Sequence, residues 1–229
     1  MSAQDPPLAV VRVWDLPTRL FHWTLVLLVT ASVTSAKIGG GAMVWHFRFG
    51  YTVLALLVFR LLWGLVGGRW SRFASFIYAP ASLRRYLRGQ SRAADHHEVG
   101  HSPLGALSVF ALLALLIAQV GTGLVADDEI ANVGPLNRFV SSRVADLATT
   151  WHKVYGEGLL WVLVGLHVTA VLVYQLAMKR DLLRPMIRGD KRLPPGTPAS
   201  ADGLATRLLA LAILALCVAL AGWVAALGG

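Results

Sequence analysis

A single cysteine in 229 residues, Cys217, removes several chemistries at once. It excludes an intramolecular disulfide, a CxxCH attachment for c-type haem and any all-cysteine iron–sulfur cluster. Charge is scarce too: 14% of residues are charged and only 12 are acidic, while 56% are hydrophobic. With mean hydropathy +0.61, a chain of this length does not read as an ordinary soluble domain. Internal repeats are absent, and the only biased tract is the Pro-rich link at 194–198.

What is present is a series of five apolar runs, at about 20–38, 44–66, 104–125, 151–177 and 204–227. Each is near the ~20 residues that cross a bilayer as helix. The polar segments between them are too short for a separate soluble domain. The expected fold is therefore an all-α integral membrane helical bundle, a single membrane domain over 1–229. Asp15, Pro17 and Thr18 read as a helix start, as do Ser102 and Pro103, while Pro80 to Arg88 reads as a short amphipathic helix on the membrane surface. A cleavable signal peptide is a poorer reading of the first run, because its polar leader is long and the run contains His22 and Trp23.

The net charge of +9 invites a nucleic-acid reading, which placement of the charges removes. One set of loops carries 14 Arg and Lys residues, from Arg12 and Arg19 through the 69–92 and 179–192 segments. The opposite set carries three, Lys37, Arg138 and Arg143, together with Asp127, Asp128, Glu129 and Asp146. This bias orients five spans with the N-terminus cytoplasmic and the C-terminus periplasmic in a bacterial inner membrane. The basic loops become orientation signals and anchors to anionic membrane lipid.

Ionisable residues inside a membrane are rare and usually functional. Of seven histidines, His22, His46, His152 and His167 lie in or at the ends of spans. The topology places His22 and His167 near the cytoplasmic side and His46 and His152 near the periplasmic side, and each pair takes one member from the fourth helix. Fifteen residues separate His152 from His167, about 22 Å of rise and a net turn of roughly 60° on an ideal helix. Two haems stacked across the bilayer, each held between two imidazoles on facing helices, fit that arrangement.

Gly50 and Gly156 each follow a histidine by four residues, on its face and one turn away, where they serve either macrocycle clearance or helix packing. Arg19, Arg48 and Arg60 are candidate partners for haem propionates. Arg19 reads equally as an interface anchor, Arg48 points away from His46, and Arg60 can snorkel. The acidic 127–129 cluster reads as a solvated turn, with docking of a basic cytochrome c as the alternative.

One motif competes. His97, Glu98 and His101 match H-E-x-x-H, in which a helix presents two zinc-binding histidines and a general-base glutamate. Gly100 interrupts that helix, a new one starts at Ser102, and no third ligand is evident. An intramembrane zinc hydrolase is thus the least favoured function.

The stretches VWDLPTRLFHW, WHFRFGY, LLVFRLLWG, HSPLGAL, ADDEIANVGPL and WHKVYGEGLLWVLVGLH together resemble bacterial cytochrome b561 and the related cytochrome b subunit of nickel-iron hydrogenases. The resemblance covers about residues 11–190 and implies a four-helix di-haem core with axial ligands at His22, His46, His152 and His167. The extra helix at about 204–227 lies outside that core and offers no ligand. The resemblance also implies electron exchange between the quinone pool and a redox partner. Its branches include superoxide oxidation with quinone as acceptor and service as a membrane anchor of a hydrogenase or dehydrogenase.

Overall fold

The computed structural model describes residues 7–92 and 95–228. Five helices are long and apolar enough to cross a membrane: Leu16–Ile38 (α1), 40–66, whose α-helical part is Met43–Val66 (α2), Pro103–Val125 (α4), Ser142–Ala177 and Leu204–Ala226 (α8). The short amphipathic helix is present as Pro80–Leu87 (α3), with Pro80 in the first turn, where its missing N–H costs nothing. Both anticipated helix starts are built as capped ends. Asp15 Oδ1 accepts from the Thr18 N–H at 2.8 Å, and Ser102 Oγ accepts from the Gly105 N–H at 3.2 Å. The chain is an all-α membrane helical bundle.

The fourth span differs from the sequence expectation at its start. Helix begins at Ser142, not near 151, because residues 142–150 form an amphipathic helix (α5, Ser142–Thr150) that buries Ala145 and Ala148. A π turn at Trp151–Gly156 joins it to Glu157–Leu172 (α6), and a second π turn, Val173–Ala177, ends the span. Such turns widen the helix by one residue and are frequent at functional sites. A two-stranded antiparallel sheet was also unforeseen. Ala9–Arg12 (β1) pairs with Asp190–Leu193 (β2), which follows Leu183–Arg188 (α7), in a register that sets Ala9 opposite Leu193 and Arg12 opposite Asp190.

Contacts divide the chain into two compact units. One comprises residues up to Leu20, Leu62–Ser108 and Thr169–Ala210. Its apolar cluster is Val11, Val13, Trp14, Trp70, Val99 and Leu193. Beside the cluster's chain segment Asp15 is fully buried and satisfied by Thr18, by Trp63 Nε1 at 3.1 Å and by Ser71 Oγ at 2.5 Å. A Cβ at residue 68 would stand 2.4 Å from Asp15 Oδ2, so this close approach requires Gly68. Here Trp70 Nε1 donates to the Pro198 carbonyl at 2.8 Å, and Ser200 Oγ to the Val13 carbonyl at 2.7 Å, which ties the link before α8 to the N-terminal segment.

The other unit comprises Phe21–Leu61, Val109–Val168 and the chain from Leu211 onward. All four span histidines belong to it. Of the five spans, the α2 window is the most enclosed, 44% buried against 22% or less for the rest. Lipid removes the hydrophobic drive for helices to associate, so close packing of small side chains matters more than total apolar area. Along this unit's part of α8 the buried side chains Cys217, Ala221 and Val224 recur at intervals of four and three, one helical face. The acidic turn is built around Asp128, whose Oδ1 accepts from the N–H groups of Ile130, Ala131 and Asn132. The Asn132 side-chain amide and these N–H groups hold its carboxyl well below the usual carboxylate range.

A candidate cofactor site between facing histidines

Two of the candidate histidines meet directly. The rings of His46, on α2, and His152, in the π turn, have centroids 5.9 Å apart and lie nearly perpendicular, at 81°. Each Nδ1 is engaged by a main-chain carbonyl: His46 with Ser32 O at 2.9 Å, and His152 with Gln119 O at 2.8 Å. A carbonyl only accepts, so these bonds place the proton on Nδ1 and leave the lone pair on Nε2. Among the described residues nothing hydrogen-bonds either Nε2. Donation of the second ring nitrogen to a carbonyl is the arrangement that orients a metal-ligating histidine and raises its basicity.

Both imidazoles line a cavity of about 530 Å³, within the ~300–1,000 Å³ typical of cofactor sites. Its wall is mostly apolar, with Val29, Val53, Leu116 and Leu160 among its residues and Lys37, Lys153 and Glu157 among its polar ones. Lys37 Nζ pairs with Glu157 Oε1 at 2.6 Å.

The two glycines singled out by spacing separate here. Gly50 lines the cavity, and a Cβ built on it would meet nothing within 4 Å. Gly156 faces protein instead, since a Cβ there would stand 1.9 Å from Gln119 Oε1. Gly123 is a glycine that spacing did not reveal. A Cβ on it would lie 2.8 Å from His152 Cε1, so its bare backbone makes room for the imidazole. Ser32 and Gln119 were equally invisible, because the groups they offer His46 and His152 include main-chain carbonyls that no residue type announces.

His22 and His167 fall in the same unit, within electrostatic reach of each other. The His22 Nδ1 is buried without a hydrogen-bond partner among the described residues, and its ring meets Trp23 edge-on at 4.9 Å. Arg19 is committed elsewhere: its Nη1 donates to the Ile187 carbonyl at 2.6 Å, and its Nη2 lies 4.0 Å from Asp202. Arg48 stacks over Trp45 at 4.9 Å, and Arg60 is buried within α2 at 3% exposure. The cations in the wall of the facing-histidine cavity are Lys37 and Lys153.

The H-E-x-x-H segment lies in a turn, not a helix. Both ring nitrogens of His97 are taken, Nε2 by Ser82 Oγ and Nδ1 by Ser91 Oγ, each at 2.9 Å. Glu98 pairs with Arg180 at 2.8 Å, and the His101 ring packs on Phe76 and Trp14. Three residues that zinc hydrolysis would need on one helical face are thus spent separately on structure.

A multi-pass helical bundle that turns two imidazoles towards one another in an apolar cavity, each with its outer nitrogen fixed and its inner lone pair available, is the scaffold of a membrane metal-cofactor protein. The family model for prokaryotic cytochrome b561 matches residues 13–189, and the chain belongs to that family. No curated protein and no solved structure matches the chain. It is a bacterial multi-pass membrane protein of the b-type cytochrome class, which binds haem b and serves in membrane electron transfer. The facing histidines, the cavity and the open side of Gly50 fit such a planar group.

Proposed function

We propose that this chain is a di-haem b-type cytochrome that relays single electrons across the membrane between a redox partner and the quinone pool. His46 and His152 would hold one haem, and His22 and His167 the other. With the N-terminus cytoplasmic, the first pair lies near the periplasmic side and the second near the cytoplasmic side. The observation that carries this reading is the His46–His152 apposition, with both Nδ1 atoms fixed on carbonyls.

Haem supplies a reversible one-electron couple when bound. The remaining work belongs to the chain's own side chains. Ser32 and Gln119 hold the two rings and raise their basicity, which favours the ferric state. Apolar wall residues would exclude water from the couple, and a pair of imidazoles would hold each group for electron transfer alone. Lys37 is paired with Glu157, so Lys153 is the wall cation proposed to balance propionate charge at one haem, and Arg60 is the buried cation proposed for the other.

Purified protein tests the stoichiometry. Pyridine haemochromogen analysis against protein concentration should give two haems b per chain, both low-spin in the reduced-minus-oxidised spectrum. One haem or none contradicts the proposal. In proteoliposomes, a membrane-soluble quinol on one side should reduce an impermeant acceptor trapped on the other. Reduction no faster than in protein-free vesicles contradicts the relay.

A further inference from the structure

We infer that Gln119 is a positioning residue for the His152 ligand and that Gly156 provides its seat. This inference rests on the reading that His152 holds a haem.

Gln119, on α4, engages residue 152 in two directions. Its main-chain carbonyl accepts from the imidazole Nδ1 at 2.8 Å, and its side-chain Nε2 donates to the His152 carbonyl at 2.7 Å. The orientation of the amide is chemically determined, because the carbonyl it meets can only accept. The first bond would be offered by any residue at 119, whereas the second belongs to the glutamine. Together they fix both the ring and the main chain that carries it. That main chain is the π turn Trp151–Gly156, whose wider winding departs from the α-helix on either side of it.

The amide has little else to hold it. Its Oε1 is buried without a hydrogen-bond partner among the described residues, and the same is true of the nearby Trp151 Nε1. A Cβ at 156 would stand 1.9 Å from that Oε1 and 3.0 Å from that Nε1. The amide therefore lies where it does because residue 156 has no side chain. Gly156 acts on the ligand through Gln119, not by clearing room for a macrocycle.

An imidazole whose Nδ1–H···O hydrogen bond is short and aligned is a more basic ligand and stabilises the ferric state. Releasing residue 152 weakens that alignment, so the midpoint potential of the His46/His152 centre should rise. The test uses full-length protein carrying Gln119→Leu, Gly156→Ala, Gln119→Ala and the double variant Gln119→Ala/Gly156→Ala. Each is read by redox titration of the two centres and by the g-values of their low-spin ferric signals.

In both Gln119→Leu and Gly156→Ala the same centre should shift upward in potential with altered g-values, while the other centre is unmoved and reports intact folding. Gly156→Ala should add nothing in a Gln119→Ala background, because the clash has been removed. Lowered thermal stability with unmoved potential and g-values would show that Gln119 only packs, and additive shifts would break the link to Gly156. Either result overturns this inference while leaving the di-haem reading intact. A wild-type protein without haem at this pair defeats the parent reading instead.

Discussion

His152 and His97 both have their Nδ1 engaged, yet only His152 keeps its Nε2 free of a hydrogen bond among the described residues. At His152 the partner is a carbonyl, and the residue lines a cavity together with His46. At His97, 4% exposed, hydroxyls of Ser82 and Ser91 take both nitrogens. His97 sits in a recognised zinc pattern, and His152 sits in no short metal motif at all. Under the proposed haem assignment, the difference teaches that a histidine's second nitrogen, not its neighbours in sequence, separates ligand from scaffold.

Replacing the two histidines should therefore have opposite signatures. His152→Ala should remove one of two haems, halving the haem-to-protein ratio and leaving the remaining centre's spectrum unchanged. Retention of both haems would break the comparison on its ligand side. A smaller loss is expected for Gly123→Ala, where the added methyl presses on His152 Cε1. Haem should be retained about tenfold less tightly at that one centre, in the range found for displaced partners of metal-ligating histidines, as measured by competition with an apo haem acceptor.

The fold was largely legible in the sequence, and the site only partly. Apolar run length fixed the five spans, and Asp15 and Ser102 announced two helix starts because capping needs those side chains. The start of the fourth span at Ser142 escaped because residues 142–150 are too polar to continue an apolar run. The pairing of Ala9–Arg12 with Asp190–Leu193 is long-range and four residues deep, below what periodicity can detect. Span histidines stood out by their cost in lipid. Ser32, Gln119 and Gly123 did not, because a carbonyl acceptor and an absent Cβ become visible only when helices meet.

On the scaffold side, His97→Ala should leave the haem ratio at two. It should still destabilise the protein by roughly 1–3 kcal/mol, since the two hydrogen bonds from the buried ring to Ser82 and Ser91, each worth about 0.5–1.5 kcal/mol, are lost. A lowered melting temperature with unchanged haem is the expected result, and haem loss would contradict the scaffold assignment. The smallest effect is in pH dependence. Burial pushes the His97 imidazole below its ordinary value of 6.5, against the opposing pull of Asp95. Its contribution to stability is thus present above 6.5 and lost as pH falls from there towards the lower folded value. Wild type should lose stability over that acid window more steeply than His97→Gln; parallel profiles would remove His97 from the account.

The pairing of ligands is tested most directly by substituting each of His22, His46, His152 and His167 with alanine and titrating the remaining haem in each. His46→Ala and His152→Ala should leave one and the same centre, identical in potential and g-values, and His22→Ala and His167→Ala should leave the other. A protein in which His46→Ala and His152→Ala leave different centres, or in which wild type carries a single haem, contradicts the account.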